Sequence, residues 1–133
     1  MSRPSVLIVE DNAQLAEIFS LTLQSLGLTV HWVADGQSAL TSLVENAPDL
    51  VLLDLHLPDV SGREVLRYIR GQERLAHLPV ILATADDQFG ELLHSEADLL
   101  LLKPISTDQL RQLVSRLLSL KSREWLEVAR EDS

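Results

Sequence analysis

The chain has 133 residues and contains no cysteine, and its 11 basic residues are outnumbered by 20 acidic ones. The absence of cysteine excludes disulfide bonds, thiolate catalysis and zinc–thiolate sites, and it suits a reducing compartment, so we expect a cytoplasmic protein. The formal charge of −9 disfavours direct binding to a nucleic-acid backbone. Long apolar runs are also missing, which excludes a signal-peptide core or a membrane span, and we expect no membrane partner.

Short apolar runs alternate with longer segments of helical periodicity, a pattern typical of βαβ units around a parallel sheet. The predicted strands cover residues 6–9, 28–33, 50–53, 80–83 and 99–102. The length fits one domain over residues 1–120, followed at 121–133 by a C-terminal helical extension or linker remnant. The sequence leaves open whether the chain is a single-domain regulator or a piece of a larger protein.

A helix is predicted after each strand. The first ends at Gly27, the second begins at Asp35-Gly36, the third follows the loop after residue 53, and a weak fourth covers 87–96. The last is capped by Ser106 or Thr107. Its buried side is predicted to consist of Leu110, Leu113, Val114, Leu117 and Leu120. The predicted fold class is therefore α/β, a doubly wound five-stranded parallel sheet flanked by five helices.

Polar residues follow four of the five predicted strands, at the sheet edge where α/β proteins place their functional groups. They are Glu10 and Asp11 after the first strand, Asp54 after the third, Thr84 after the fourth and Lys103 after the fifth. No glycine-rich phosphate loop follows the first strand. Crowded carboxylates instead favour a hard divalent cation with oxygen ligands, and Mg²⁺ fits this donor set. The sequence therefore predicts a Mg²⁺ site at this edge.

Several motifs carry a resemblance to a known family. They are VLIVEDN at 6–12, VADGQSAL at 33–40, LLDLHLPDVSG at 52–62, Thr84-Ala85, and Leu102-Lys103-Pro104. In this order, each at or near a strand end, they resemble the CheY-like receiver domain of two-component response regulators over most of the chain. The resemblance implies a flavodoxin-like receiver fold and a partner that is a sensor histidine kinase or a phosphotransfer protein.

The resemblance also implies roles for the site residues. Asp54 would accept the phosphoryl group from a kinase phosphohistidine, and the protein would then change conformation to signal. The Mg²⁺ ligands would be Asp11 directly, Glu10 through water, Asp54, and the backbone carbonyl of His56. Lys103 would neutralise phosphoryl charge.

Thr84 would hydrogen-bond the phosphoryl oxygen once it is present. Beyond self-catalysed phosphoryl transfer and slow autodephosphorylation, we expect no enzymatic activity. Two rival functions stay open at this point, a receiver-like interaction module that is not phosphorylated and a Mg²⁺-dependent phosphatase.

Two departures from the family pattern fall on the surface where receivers usually signal. Leu100 stands where the family commonly has an aromatic residue, and the segment between the predicted fourth and fifth strands is short by roughly one helical turn.

An apolar stripe on the last helix, formed by Val114, Leu118, Trp125 and Ala129, is predicted to form a partner or homodimer surface with Leu100 nearby. This surface would combine the predicted fourth helix, the fifth strand and the last helix. A frayed, solvated tail over 121–133 is the alternative. Trp32 and Tyr68 are predicted to be packing residues.

Overall fold

In the computed structural model, which describes residues 3–85 and 99–131, five parallel strands form one sheet. The strands are β1 (Ser5–Val9), β2 (Thr29–Val33), β3 (Leu50–Asp54), β4 (Val80–Thr84) and β5 (Leu99–Leu102). Their order across the sheet is β2-β1-β3-β4-β5, so the direction of winding reverses after β2. The central strands β3 and β4 are buried along their whole length, as expected of strands covered on both faces. The predicted doubly wound parallel sheet is confirmed.

Four helices flank the sheet in the described residues: α1 (Ala13–Gln24), α2 (Gly36–Glu45), α3 (Gly62–Gly71) and α4 (Thr107–Glu131). A short 3₁₀ turn, Glu73–Leu75, follows α3. Each α-helix begins after a side chain that accepts a hydrogen bond from the backbone amide three residues further on. These capping residues are Asn12, Asp35, Ser61 and Ser106. The predicted helix over 87–96 lies outside the described residues.

The end of α1 follows the prediction at Gly27. This glycine has a φ of +88°, a left-handed conformation that glycine adopts without steric cost. Its amide donates to the Gln24 carbonyl, which closes the end of the helix. The chain can therefore turn directly into β2.

The hydrophobic core consists of two clusters, one on each face of the sheet. Alternate strand residues point to opposite faces, so Leu7 contributes to the cluster under α2 and α3, whereas Ile8 contributes to the other. The second cluster includes Phe19 of α1 and Leu110 of α4. The helices thus fix the sheet from both sides and leave the carboxyl ends of the strands to the connecting loops.

The prediction that an apolar stripe on the last helix forms a partner surface is wrong for the two residues of the stripe whose side chains are described, Val114 and Leu118. Val114 is buried and Leu118 is half-buried, and both belong to the same cluster as Leu110. Residues 110, 113, 114, 117 and 118 follow the alternating spacing of three and four that makes one wide helical stripe. Leu100 packs on the opposite face of the sheet, against the cluster under α2 and α3. The side chains of Trp125 and Ala129 lie outside the described part.

Some large apolar side chains on the helices are exposed. Ile18 of α1 is 46% exposed and Val44 of α2 is 63% exposed. Each lies at the margin of its helix's apolar face, next to a buried residue, Phe19 or Leu43. Spacing alone did not distinguish the centre of these faces from their edges.

Candidate functional site

The carboxyl ends of the strands bring four predicted site residues together. The ligand oxygens of Glu10, Asp11 and Asp54 all lie within 4.8 Å of one another. The Nζ atom of Lys103 lies 2.8 Å from Glu10 Oε1 and 3.4 Å from Asp54 Oδ2. The cluster joins the ends of β1, β3 and β5, which are not consecutive strands, and places one ammonium group among three carboxylates.

Burial distinguishes the members of this cluster. Glu10 is 2% exposed and Asp54 is 5% exposed, whereas Asp11 is open to solvent. Burial, together with the neighbouring Asp54 carboxyl group, raises the pKa of Glu10 to about 7 against the opposing effect of Lys103. The charged form of Glu10 is therefore poorly compensated by one lysine.

Lys103 stays charged because it has two acidic neighbours. Burial lowers the pKa of its ammonium, but the hydrogen bond to Glu10 and the charges of Asp54 and Glu10 outweigh burial, so the pKa lies above its usual value. Its backbone amide donates to the Thr84 carbonyl at 2.8 Å, which fixes the chain at the start of the loop after β5. The lysine is thus held at the site by both its backbone and its side chain.

The donor set fits a hard metal ion. Glu10 Oε2 is buried and makes no hydrogen bond in the part of the chain that the structure describes. A buried carboxylate oxygen without a partner is unfavourable, and a cation would compensate it. The neighbouring donors are also carboxylate oxygens, the ligands that Mg²⁺ and Ca²⁺ prefer. The cluster of Glu10, Asp11 and Asp54 could therefore hold a metal ion.

His56 and Thr84 lie beside this cluster in different ways. The backbone amide of His56 donates to Asp54 Oδ1 at 3.2 Å, so the main chain of His56 faces the carboxylate, and the residue as a whole is exposed. Thr84 is the last residue of β4, between the strands that carry Asp54 and Lys103, and it is fully buried. The structure therefore places both residues at the sheet edge where the sequence predicted them.

Two residues near the site were missed from the sequence. Trp32, predicted to be a packing residue, donates from its indole Nε1 to the backbone carbonyl of Glu10 at 2.8 Å. Asp59, in the loop after β3, accepts hydrogen bonds from the amides of Gly36 and Gln37 at 2.9 and 3.2 Å. Both contacts join residues 22 or 23 positions apart, so no local sequence signal could have revealed them.

Glycines allow the loop after β3 to approach its neighbours closely. A β-carbon on Gly36 would collide with the backbone of Val60, and one on Gly62 would collide with the backbone of Asp54 and Leu55. The Gly62 amide also donates to the Leu55 carbonyl at 3.1 Å. The loop that follows Asp54 is therefore packed against the first residues of α2 and α3, which restricts its backbone.

A doubly wound parallel sheet with buried carboxylates and a lysine at its carboxyl edge defines the class of CheY-like receiver domains. Residues 6–115 match the response regulator receiver domain family, and the chain belongs to that family. The family predicted from the motifs is confirmed. Within the described residues, no helix has the length and apolar character needed to cross a membrane.

Relatives occur among both regulators and sensor kinases. The chain is 35% identical over 123 residues to "Probable methanogenesis regulatory protein FilR2" of Methanothrix harundinacea, covering 84% of this chain and 79% of that protein. It is 38% identical over 125 residues to the autoinducer 2 sensor kinase/phosphatase LuxQ of Vibrio vulnificus, covering 92% of this chain but 14% of that protein.

A signal receiver domain from Vibrio parahaemolyticus superposes with a TM-score of 0.85 at 33% identity, covering 94% of this chain and 97% of that one. The chain is thus a phosphoacceptor receiver domain of two-component signalling.

Proposed function

We propose that Asp54 is the phosphoacceptor of this receiver. Its carboxylate attacks the phosphorus of a phosphohistidine on a sensor histidine kinase or phosphotransfer protein. An oxygen–phosphorus bond forms, the phosphorus–nitrogen bond breaks, and the imidazole leaves with the electron pair and takes up a proton. The observation that carries the proposal is the position of Asp54, buried with an oxygen 3.4 Å from Lys103 Nζ and grouped with Glu10 and Asp11.

The cofactor that fits this proposal is Mg²⁺. Asp11, Asp54 and the backbone carbonyl of His56 would hold it directly, and Glu10 would do so through water. When bound, the ion supplies positive charge that allows an anionic phosphoryl group to approach an acidic site. Glu10 Oε2, which has no hydrogen-bond partner among the described residues, supports this assignment because a cation would compensate its charge.

Lys103 and Thr84 act on the phosphoryl group after transfer. Lys103 already contacts Asp54, so its ammonium can exchange a carboxylate partner for a phosphoryl oxygen without leaving the site. The Thr84 hydroxyl donates to another phosphoryl oxygen. Because that bond exists only in the phosphorylated state, it biases the equilibrium between two conformers. Leu100 stands where the family commonly has an aromatic residue. The conformational change therefore reaches the signalling surface without the help of an aromatic side chain at that position.

Phosphorylation of Asp54 can be tested with a small phosphodonor. The purified protein is incubated with Mg²⁺ and acetyl phosphate, and its intact mass is followed for the wild type and for Asp54→Asn. We expect the wild type to gain one phosphoryl group and the variant to gain none. Sustained phosphate release would instead indicate a phosphatase, and an unchanged wild-type mass would indicate an interaction module.

The metal requirement is tested in the same assay. Because the carboxylates must be neutralised before a phosphoryl group approaches, EDTA and the Asp11→Ala substitution should each abolish or nearly abolish labelling. Glu10→Ala should have a milder effect if its contact with the ion runs through water. Undiminished labelling in EDTA would contradict the Mg²⁺ assignment while leaving Asp54 as the acceptor.

A further inference from the structure

The indole of Trp32 occupies a position where the β-ladder stops. Strands β1 and β2 pair in register up to Val9 and Val33, and the Glu10 amide adds a last bond to the Val33 carbonyl at 3.1 Å. The Glu10 carbonyl accepts instead from Trp32 Nε1 at 2.8 Å. Both backbone polar groups of Glu10 are therefore held by residues of β2, one by the main chain and one by a side chain.

Strand geometry explains how the ring reaches this carbonyl. Trp32 pairs with Ile8 in the ladder, and Glu10 lies two residues further along the chain, just past the end of β1 and on the same side as Ile8. The indole therefore extends along the strand direction by this offset of two residues. β2 is the edge strand of the sheet in the described residues, and the Trp32 side chain is 41% exposed beside the site.

The carbonyl of Glu10 belongs to the peptide unit that joins the two acidic residues of the site. A hydrogen bond to this carbonyl restricts the orientation of the peptide plane, and with it the position of the Asp11 Cα atom from which the side chain leaves the backbone. Asp11 is exposed, so packing restrains it little, whereas Glu10 is already fixed by burial and by Lys103. The contact from Trp32 therefore bears most on Asp11.

We propose that Trp32 is a positioning residue for the metal ligands, holding the Glu10–Asp11 peptide so that the Asp11 carboxylate meets those of Glu10 and Asp54. This inference rests on the proposed Mg²⁺ site. It assigns to the indole N–H a role in ion binding in addition to packing. It also makes the indole a spectroscopic reporter of the site.

The test compares two tryptophan-to-phenylalanine variants. Trp32→Phe keeps an aromatic ring but removes the N–H donor, and Trp125→Phe is the matched control, because the sequence has two tryptophans. Mg²⁺ affinity is measured by calorimetry on each variant and on the wild type. Loss of one neutral hydrogen bond should weaken Mg²⁺ binding roughly two- to tenfold in Trp32→Phe and leave Trp125→Phe unchanged.

A double-mutant cycle distinguishes positioning from general destabilisation. If Trp32 acts through Asp11, the Trp32→Phe change should no longer weaken Mg²⁺ binding in an Asp11→Ala background, measured at Mg²⁺ concentrations high enough to load the weakened site. The inference is overturned if Trp32→Phe binds Mg²⁺ as tightly as the wild type, or if its effect persists at full size without Asp11. A wild type that binds no Mg²⁺ would instead overturn the metal assignment itself.

Fluorescence gives a measurement that needs no substitution at Trp32. In Trp125→Phe the emission comes from Trp32 alone, and Mg²⁺ binding next to the Glu10 carbonyl should change it with the midpoint found by calorimetry. Emission that stays constant while calorimetry records binding would contradict the proposed coupling. This arm remains decisive even if Trp32→Phe does not fold.

Discussion

Lys103 is the cation on which two buried carboxylates depend. With the lysine removed, Glu10 and Asp54 would lose the ammonium that lies 2.8 and 3.4 Å from them. We expect Lys103→Met to lower the free energy of unfolding in metal-free buffer by about 1–3 kcal/mol, because removing one partner leaves a buried charged acceptor unsatisfied. Urea denaturation with and without Mg²⁺ measures this effect, and Mg²⁺ should restore most of the loss.

The control for this prediction removes the carboxylate together with the lysine. The double variant Glu10→Gln, Lys103→Met should be more stable than Lys103→Met alone, since a neutral amide is less costly to bury than a carboxylate without a partner. Equal stability of the single and double variants would show that Glu10 does not depend on Lys103.

Thr84 offers a residue whose hydroxyl can be removed with little change of shape. In Thr84→Val the side chain keeps its branched form at a fully buried position, whereas Thr84→Ser keeps the hydroxyl and loses a methyl group. Both variants should bind beryllofluoride at Asp54, but the chemical-shift changes that it induces at the signalling surface should be reduced in Thr84→Val and retained in Thr84→Ser. A full wild-type response in Thr84→Val would exclude the hydroxyl as the relay.

At the scale of secondary-structure elements, α3 contains two glycines with opposite surroundings. A β-carbon at Gly62 would meet the backbone of Asp54 and Leu55, whereas at Gly71 it would meet nothing within 4 Å in the described part of the chain. Gly62→Ala should therefore destabilise the protein by about 1–3 kcal/mol and slow the labelling of Asp54. Gly71→Ala should be neutral or stabilising by up to about 1 kcal/mol. Thermal unfolding and mass-based labelling of the pair test this contrast, and equal effects would contradict it.

The contact between Asp59 and the first turn of α2 should be sensitive to acid. Loss of hydration opposes ionisation of this exposed carboxyl group, but hydrogen bonds from the backbone amides of Gly36, Val60 and Gln37 outweigh it and lower the pKa of Asp59 below its usual value. A carboxyl group with a lowered pKa in the folded state stabilises the fold above its unfolded pKa of about 4, and this stabilisation is lost as the pH falls through the folded value. The free energy of unfolding should therefore decrease as the pH falls below about 4.

Asp59→Asn tests this dependence because it keeps the shape of the side chain and removes the charge. We expect the variant to melt at a lower temperature than the wild type at pH 7, with the difference narrowing below about pH 4. Melting curves recorded by circular dichroism at a series of pH values measure it. A difference that is constant from pH 7 to pH 3 would show that the Asp59 charge does not contribute.

The elements could be predicted from the sequence because their signals are local. The buried run at β3, the Ser106 cap of α4 and the positive-φ glycine at position 27 each act within a few residues, and each lies where the pattern placed it. Contacts between elements have no such local signal in the sequence. The bonds of Trp32 to Glu10 and of Asp59 to α2 depend on which strands are neighbours and on how a loop folds back. The wrong assignment of Val114 and Leu118 on α4 has the same origin, because the spacing of apolar residues does not show how wide a face of the helix the core covers.

At the scale of the whole molecule, the sheet order accounts for the site. The residues that meet lie in sequence at positions 10–11, 54 and 103, and they come together because β1, β3, β4 and β5 are parallel neighbours that end at one edge. That edge could be predicted from the rule for doubly wound sheets. The pairing of Lys103 with Glu10 could not, because it depends on side-chain burial that only the packed core determines.

We also predict that residues 1–120 are sufficient to form the folded domain. In the described part, α4 contributes Leu110 and Val114 to the core as buried residues and Leu117 and Leu118 as partly buried ones. We therefore expect a chain shortened to end at Leu120 to keep these contacts, to melt within a few degrees of the full chain and to be labelled at Asp54 at the same rate. Sedimentation of both chains, with and without beryllofluoride and Mg²⁺, shows in addition whether residues 121–133 support self-association. A large loss of stability or of labelling in the shortened chain would place those residues within the receiver domain.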